Sequence, residues 1–202
     1  MKKLFFWLII IAIGVGVGTN VSHFQLDSSG KNVLSVKTGV SPKSDAPQTA
    51  QTPGIPVKIT IPKIDVETTV ESVAMDSQGR MDVPKDADNT AWYNPGFRPG
   101  TNGSAVIDGH YDKETGAPAV FYNVNKLTPG DTIIITDDKD VKYTFAVDHI
   151  TKYPDADFPI QQVFAAADVP QLNLITCQGT WNKEAHNYSD RMVVYSKLIS
   201  HT

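Results

Sequence analysis

Short runs of alternating apolar and polar residues, each closed by proline, glycine or aspartate, recur from Ile55 to the end of the chain and leave little room for helix. Val57-Lys58-Ile59-Thr60-Ile61 alternates strictly until Pro62, and Ile64, Val66, Thr68 and Val70 alternate again. A period of two sends successive side chains to opposite faces, so each run reads as a strand. Ser104-Ala105-Val106-Ile107 is a continuous apolar run, the pattern of a buried strand. Thr132 to Thr136 and the alternating Val141, Tyr143, Phe145 and Val147 flank the turn Asp137-Asp138-Lys139-Asp140 as a hairpin. Leu172 to Ile175 and Met192 to Leu198 supply the remaining strands, separated by a polar loop of about a dozen residues, Gln178 to Asp190. Helical spacing occurs at Val120, Val124 and Leu127, and one or two turns fit Ile160 to Ala167 before Pro170. The passage through Trp92, Asn94-Pro95-Gly96 and Arg98-Pro99-Gly100 reads as irregular loop. Many short strands with few helices specify a mainly β domain, a barrel or a sandwich.

Ahead of that domain, Lys2 and Lys3 precede an unbroken apolar stretch from Leu4 to Gly18, the layout of a basic flank and an export signal. Residues 1–21 are read as an N-terminal membrane anchor or signal segment. An uncleaved anchor is preferred, because no small-x-small cleavage site follows and no cysteine stands there to accept a lipid. With the lysines on the short side, the positive-inside rule places the protein at the cell membrane as a single N-terminal pass with its domain extracellular. Residues 22–54, rich in Ser, Thr, Gln, Lys, Pro and Gly, are a flexible extracellular spacer, because they hold too little apolar surface to offset chain entropy. Residues 55–202 form the folded domain. A net charge of -4 over 202 residues gives no reason to expect nucleic acid as a partner.

Cys177 is the only cysteine, so an intramolecular disulfide is excluded and a metal site is disfavoured. It is either a small buried hydrophobe or a reactive thiol at the end of an apolar strand. A thiol nucleophile needs an acid/base partner, and His110 follows Gly109 at the end of another apolar strand. Pairing of those two strands would bring both residues to one rim. Arg191 opens the last strand, so antiparallel pairing across the intervening loop sets it opposite Cys177 as a fixed cation suited to an oxyanion or a substrate carbonyl. Unperturbed values of about 8.5 for Cys and 6.5 for His put the thiolate–imidazolium pair in roughly 1% of molecules at pH 7. The aspartates at 108, 112, 137, 138 and 140 lack the spacing of a calcium loop and read as solvated turns; no metal and no cofactor is assigned.

Asn173-Leu174-Ile175-Thr176-Cys177, Val106-Ile107-Asp108-Gly109-His110, Asp190-Arg191-Met192-Val193-Val194-Tyr195 and Ile59-Thr60-Ile61-Pro62-Lys63-Ile64 together resemble the sortases, the cysteine transpeptidases of Gram-positive cell surfaces. The family's cysteine motif has Thr where this chain has Asn173. With its N-terminal apolar segment, a compact domain and no C-terminal anchor, the chain most resembles class F, with classes D and E next. The resemblance implies a closed eight-stranded β-barrel with a few short helices, and catalytic roles for Cys177, His110 and Arg191. It implies cleavage of an LPxTG-like sorting signal between Thr and Gly through a thioacyl-enzyme, then transfer of the acyl group to an amine of a peptidoglycan precursor. The partners would be surface proteins bearing that signal. Thr176, through its hydroxyl or backbone, and Trp92 and Trp181, on long loops, are the candidate substrate-binding residues; an ordinary strand position for Thr176 and core filling by either tryptophan are the alternatives. Two other classes remain open: an exported cysteine hydrolase, and a non-catalytic exported β-barrel binding module.

Overall fold

The computed structural model describes residues 52–202; the anchor segment and all but the last three residues of the spacer lie outside the described residues. Eight strands form the domain: β1 (Pro56–Ile61), β2 (Val66–Val73), β3 (Thr90–Tyr93), β4 (Gly103–Gly109), β5 (Thr132–Asp137), β6 (Lys142–Pro154), β7 (Pro170–Asn182) and β8 (Asn187–His201). They close into a barrel in the order β1-β2-β3-β4-β7-β8-β6-β5, with β5 pairing back to β1. β2 with β3 and β4 with β7 run parallel, and every other neighbour is antiparallel. Closure leaves no long unpaired edge of the sheet.

The alternation read from the sequence is what separates the two faces. Ile59, Ile61, Ala105, Ile107, Ile133, Ile135, Phe145, Leu172, Leu174 and Val194 point inward and are fully or almost fully buried with Trp92 and Phe121. Each such large side chain contributes about 1.5–3 kcal/mol relative to exposure. The opposite faces of β4, β7 and β8 are apolar as well: Val106, Ile175, Val193 and Tyr195 pack beneath Val163, Phe158 and Phe164 of the β6–β7 connection. That explains why the β4 and β7 runs are continuous rather than alternating, since both faces are covered. Asn173 lies on this outer face, buried, with its amide Nδ2 donating to Val163 O at 2.7 Å. It pins the connection that carries α1 (Ile160–Val163) onto β7.

Several expectations change. The passage around Trp92 contains β3, a four-residue strand that the flanking turns conceal. The helix expected over Val120 to Leu127 reduces to a 3-10 turn, Val124–Lys126, in which the amides of Val124, Lys126 and Leu127 bond three residues back to the carbonyls of Phe121, Asn123 and Val124. Between Cys177 and Arg191 there is no dozen-residue loop. β7 and β8 continue as a hairpin to Asn182 and from Asn187, where Asn182 Oδ1 accepts from the amides of Glu184 and Ala185. Polar residues on both arms hide these strand ends from a periodicity reading.

The turn aspartates also divide. Asp137 is 2% exposed, and its carboxylate accepts from the amides of Gly54, Lys139 and Val141 and from the Tyr143 hydroxyl. Burial alone would raise its pKa, but those donors prevail and hold it below the usual carboxylate range. A depressed folded value contributes stability above the unfolded pKa, and that contribution is lost as pH falls through the folded one. Asp137→Ala should therefore cost about 3 kcal/mol at pH 7 in urea unfolding, with the gap from wild type narrowing below about pH 4.

Candidate active site

β4 and β7 run parallel with Asp108 level with Ile175, so the next positions on that outer face, His110 and Cys177, stand side by side where both strands reach the rim. On the other flank of β7, Cys177 pairs directly with Arg191 of β8. Adjacent strands are about 4.8 Å apart, so Cys177 and Arg191 are direct neighbours, and His110 emerges from the end of β4 on the other flank of β7. Thr176 lies between these positions and faces the interior, where its hydroxyl donates to Gly109 O at 2.7 Å. That bond fixes the last register step of β4 against β7, and with it the spacing of His110 and Cys177.

Glycine at 109 is required by close approach. A Cβ there would lie 2.5 Å from Cδ2 of Phe121, which is wholly buried. The chain therefore bends around Phe121 immediately after the strand and leaves His110 half-buried at the rim. His110 Nε2 lies 3.0 Å from Pro84 O. A carbonyl only accepts, so Nε2 carries the hydrogen and Nδ1 is left as the ring's acceptor nitrogen.

Arg191 is held firmly. Its Nη1 donates to Tyr188 O (3.2 Å) and Asp190 O (3.0 Å), and its Nη2 donates to Asn187 Oδ1 (2.6 Å). Nη2 also pairs with Asp155 Oδ1 at 3.0 Å, while Asp155 Oδ2 accepts from Asn187 Nδ2 at 2.6 Å. On the other side of the hairpin the Tyr188 hydroxyl donates to Asp112 at 2.5 Å. Gly179, with φ of 90°, supplies the left-handed residue of the bulge that starts this extension.

Burial pushes the Cys177 thiol up to about 11; the Arg191 cation pulls it down, and Asp108, Asp155 and Asp112 push it up further. The resting thiol is thus far less ionised than the unperturbed value suggests, about one molecule in 10⁴ at pH 7. Alkylation by iodoacetamide should accordingly rise about tenfold per pH unit up to pH 11 rather than levelling off near 8.5. Asp108 shares the outer face with His110. Desolvation raises its carboxyl to about 6 against the opposing pull of His110 and Arg191.

The other sequence candidates separate. Trp92 is only 3% exposed, packs inside the barrel and donates its indole N–H to Phe97 O, so it is not part of this face. Its position between Ala91 and Tyr93 on a concealed strand is what a loop reading missed. Trp181 is 45% exposed on the hairpin, edge-on to Tyr188 and His186. The Thr176 hydroxyl is occupied by Gly109 and lies on the opposite face from Cys177. Asp108, Asp155 and Asn187 were not singled out as part of the site. Asp108 was legible, since a residue two before His110 shares its face, whereas Asp155 comes from a distant connection and carries no local signal.

The Sortase domain family matches residues 59–199. Sortase A of Listeria monocytogenes is similar in structure, at 18% identity with a TM-score of 0.55, covering 73% of this chain and 89% of that one. A Clostridium perfringens sortase D5 transpeptidase is 26% identical, with a TM-score of 0.53, over 73% of this chain and 79% of that one. Sortase C1 of Streptococcus agalactiae shares 17% identity with a TM-score of 0.55, over 71% and 67%. None of the curated proteins matches the chain significantly.

Proposed function

The chain belongs to the sortase family, and from that premise we propose that it is a cysteine transpeptidase that cuts an LPxTG-like sorting signal between Thr and Gly. The observation that carries the proposal is the pairing of Cys177 with Arg191 across β7 and β8, beside the end of β4 from which His110 emerges. Cys177 Sγ attacks the Thr carbonyl carbon as its proton passes to His110 Nδ1, and Arg191 steadies the oxyanion. Collapse breaks the C–N bond, and the proton on His110 leaves with the Gly amine. An incoming amine then attacks the thioester, gives its proton to His110, and releases the sulfur. A cavity of about 390 Å³ beside His110, bordered by Asp86, Asp112 and Glu114 and by Lys85 and Lys113, is where we place that amine.

The acceptor in this reading is an amine of a peptidoglycan precursor, and the substrates are surface proteins carrying the signal. Trp181 is placed on the wall that meets the peptide. The basic and apolar N-terminus supports a membrane-anchored enzyme with its domain outside the cell, and with the compact domain it supports class F within the family. A labelled LPxTG peptide incubated with and without an added amine tests the proposal. Transfer product that grows with amine concentration is expected; hydrolysis indifferent to the amine would instead mark a cysteine hydrolase.

A further inference from the structure

Both terminal nitrogens of Arg191 are already engaged, and they are engaged by groups from two separate segments, the start of β8 and the β6–β7 connection. Nη1 is spent on the carbonyls of Tyr188 and Asp190, and Nη2 on Asn187 Oδ1 and the Asp155 carboxylate. Asp155 and Asn187 are bonded to each other as well, so the three side chains close a ring in which each member fixes the other two. Asp155 sits in the 3-10 turn Asp155–Asp157 of the β6–β7 connection, and Asn187 opens β8. Among the described residues, only Nε–H of the guanidinium has no partner. A forked guanidinium with both prongs occupied cannot grip a substrate bidentately, but it can present one N–H from a position that does not wander.

On the reading of Arg191 given above, we infer that Asp155 and Asn187 are positioning residues that hold the guanidinium so that Nε–H is the single donor offered to the reacting carbonyl. Preorganisation of this kind acts on the step in which charge develops and leaves ground-state binding alone. It also couples the β6–β7 connection, whose Phe158 and Phe164 pack over the outer face, to the oxyanion donor. Movement of that connection would release Arg191. Neither residue needs to touch the substrate for this effect.

Kinetics and nuclear magnetic resonance on the full domain separate the inference from the function it rests on. Asp155→Ala should lower kcat about 10- to 100-fold with KM unchanged, and Asp155→Glu should recover most of the loss. In an Arg191→Lys background the Asp155 substitution should add nothing, because the group it positions has gone. Arg191 side-chain signals should show separate, slowly rotating Nη groups in the wild type that average in Asp155→Ala. A kcat loss of equal size in both backgrounds, an effect confined to KM, or averaged Nη signals in the wild type would overturn the inference. Absence of any transfer by the wild type alongside resolved Nη signals would instead sink the proposed function and leave the clamp standing.

Discussion

Cys177→Ala should abolish peptide cleavage and transfer alike, a loss of about 10⁴-fold or more, while the fold remains intact. The sulfur is half-buried on β7 where the strand passes the end of β4, and the backbone there is held by the Arg191 pairing and by the Thr176 bond to Gly109 rather than by the thiol. Removing it leaves little cavity, so the unfolding free energy from urea titration should stay within about 1 kcal/mol of wild type. A binding module would behave oppositely and keep its function. Because burial holds the thiol up to about 11, the free enzyme stores almost no thiolate. In the proposed mechanism, attack therefore draws its nucleophile from a minor ionised population or couples proton loss to bond formation, and either route uses His110.

His110→Ala is the second large effect, about 10²- to 10⁴-fold in kcat. Pro84 O holds the Nε2 hydrogen, so only Nδ1 is available to move protons between sulfur and amine. The adjacent cavity of about 390 Å³ is large enough to admit a free imidazole. Added imidazole should thus recover part of the activity of His110→Ala but none of Cys177→Ala. Rescue of neither variant would imply that His110 serves structure alone, through its carbonyl contact with Phe121 N.

Most of the barrel was legible because its strands alternate or run continuously apolar, and burial follows that pattern at Ile59, Ile61, Ile133, Ile135 and Phe145. What escaped was carried by polar chain. The four residues of β3 lie among turn formers, and the hairpin beyond Cys177 is built from Gln178, Gly179, Thr180 and Asn182, which give no apolar period. The pairing of Cys177 with Arg191 was readable from the apolar runs that flank them, since a one-residue slip in register would turn a side chain to the wrong face. Placement of Trp92 was not, because an aromatic in a glycine- and proline-rich passage looks the same whether it lines a groove or fills a core. The thiol's direction of shift was equally hidden. It depends on burial and on Asp108 and Asp112, at the end of β4 and just after it, converging with Asp155 of the β6–β7 connection.

Intact-protein mass spectrometry after mixing the enzyme with an LPxTG peptide in the absence of an amine tests thioacyl formation most directly. A mass increase equal to the acyl fragment, mapped to Cys177, removed by an added amine and missing in Cys177→Ala, is the expected result. Peptide cleaved at full rate with no adduct at Cys177, or an adduct that persists in Cys177→Ala, would contradict it.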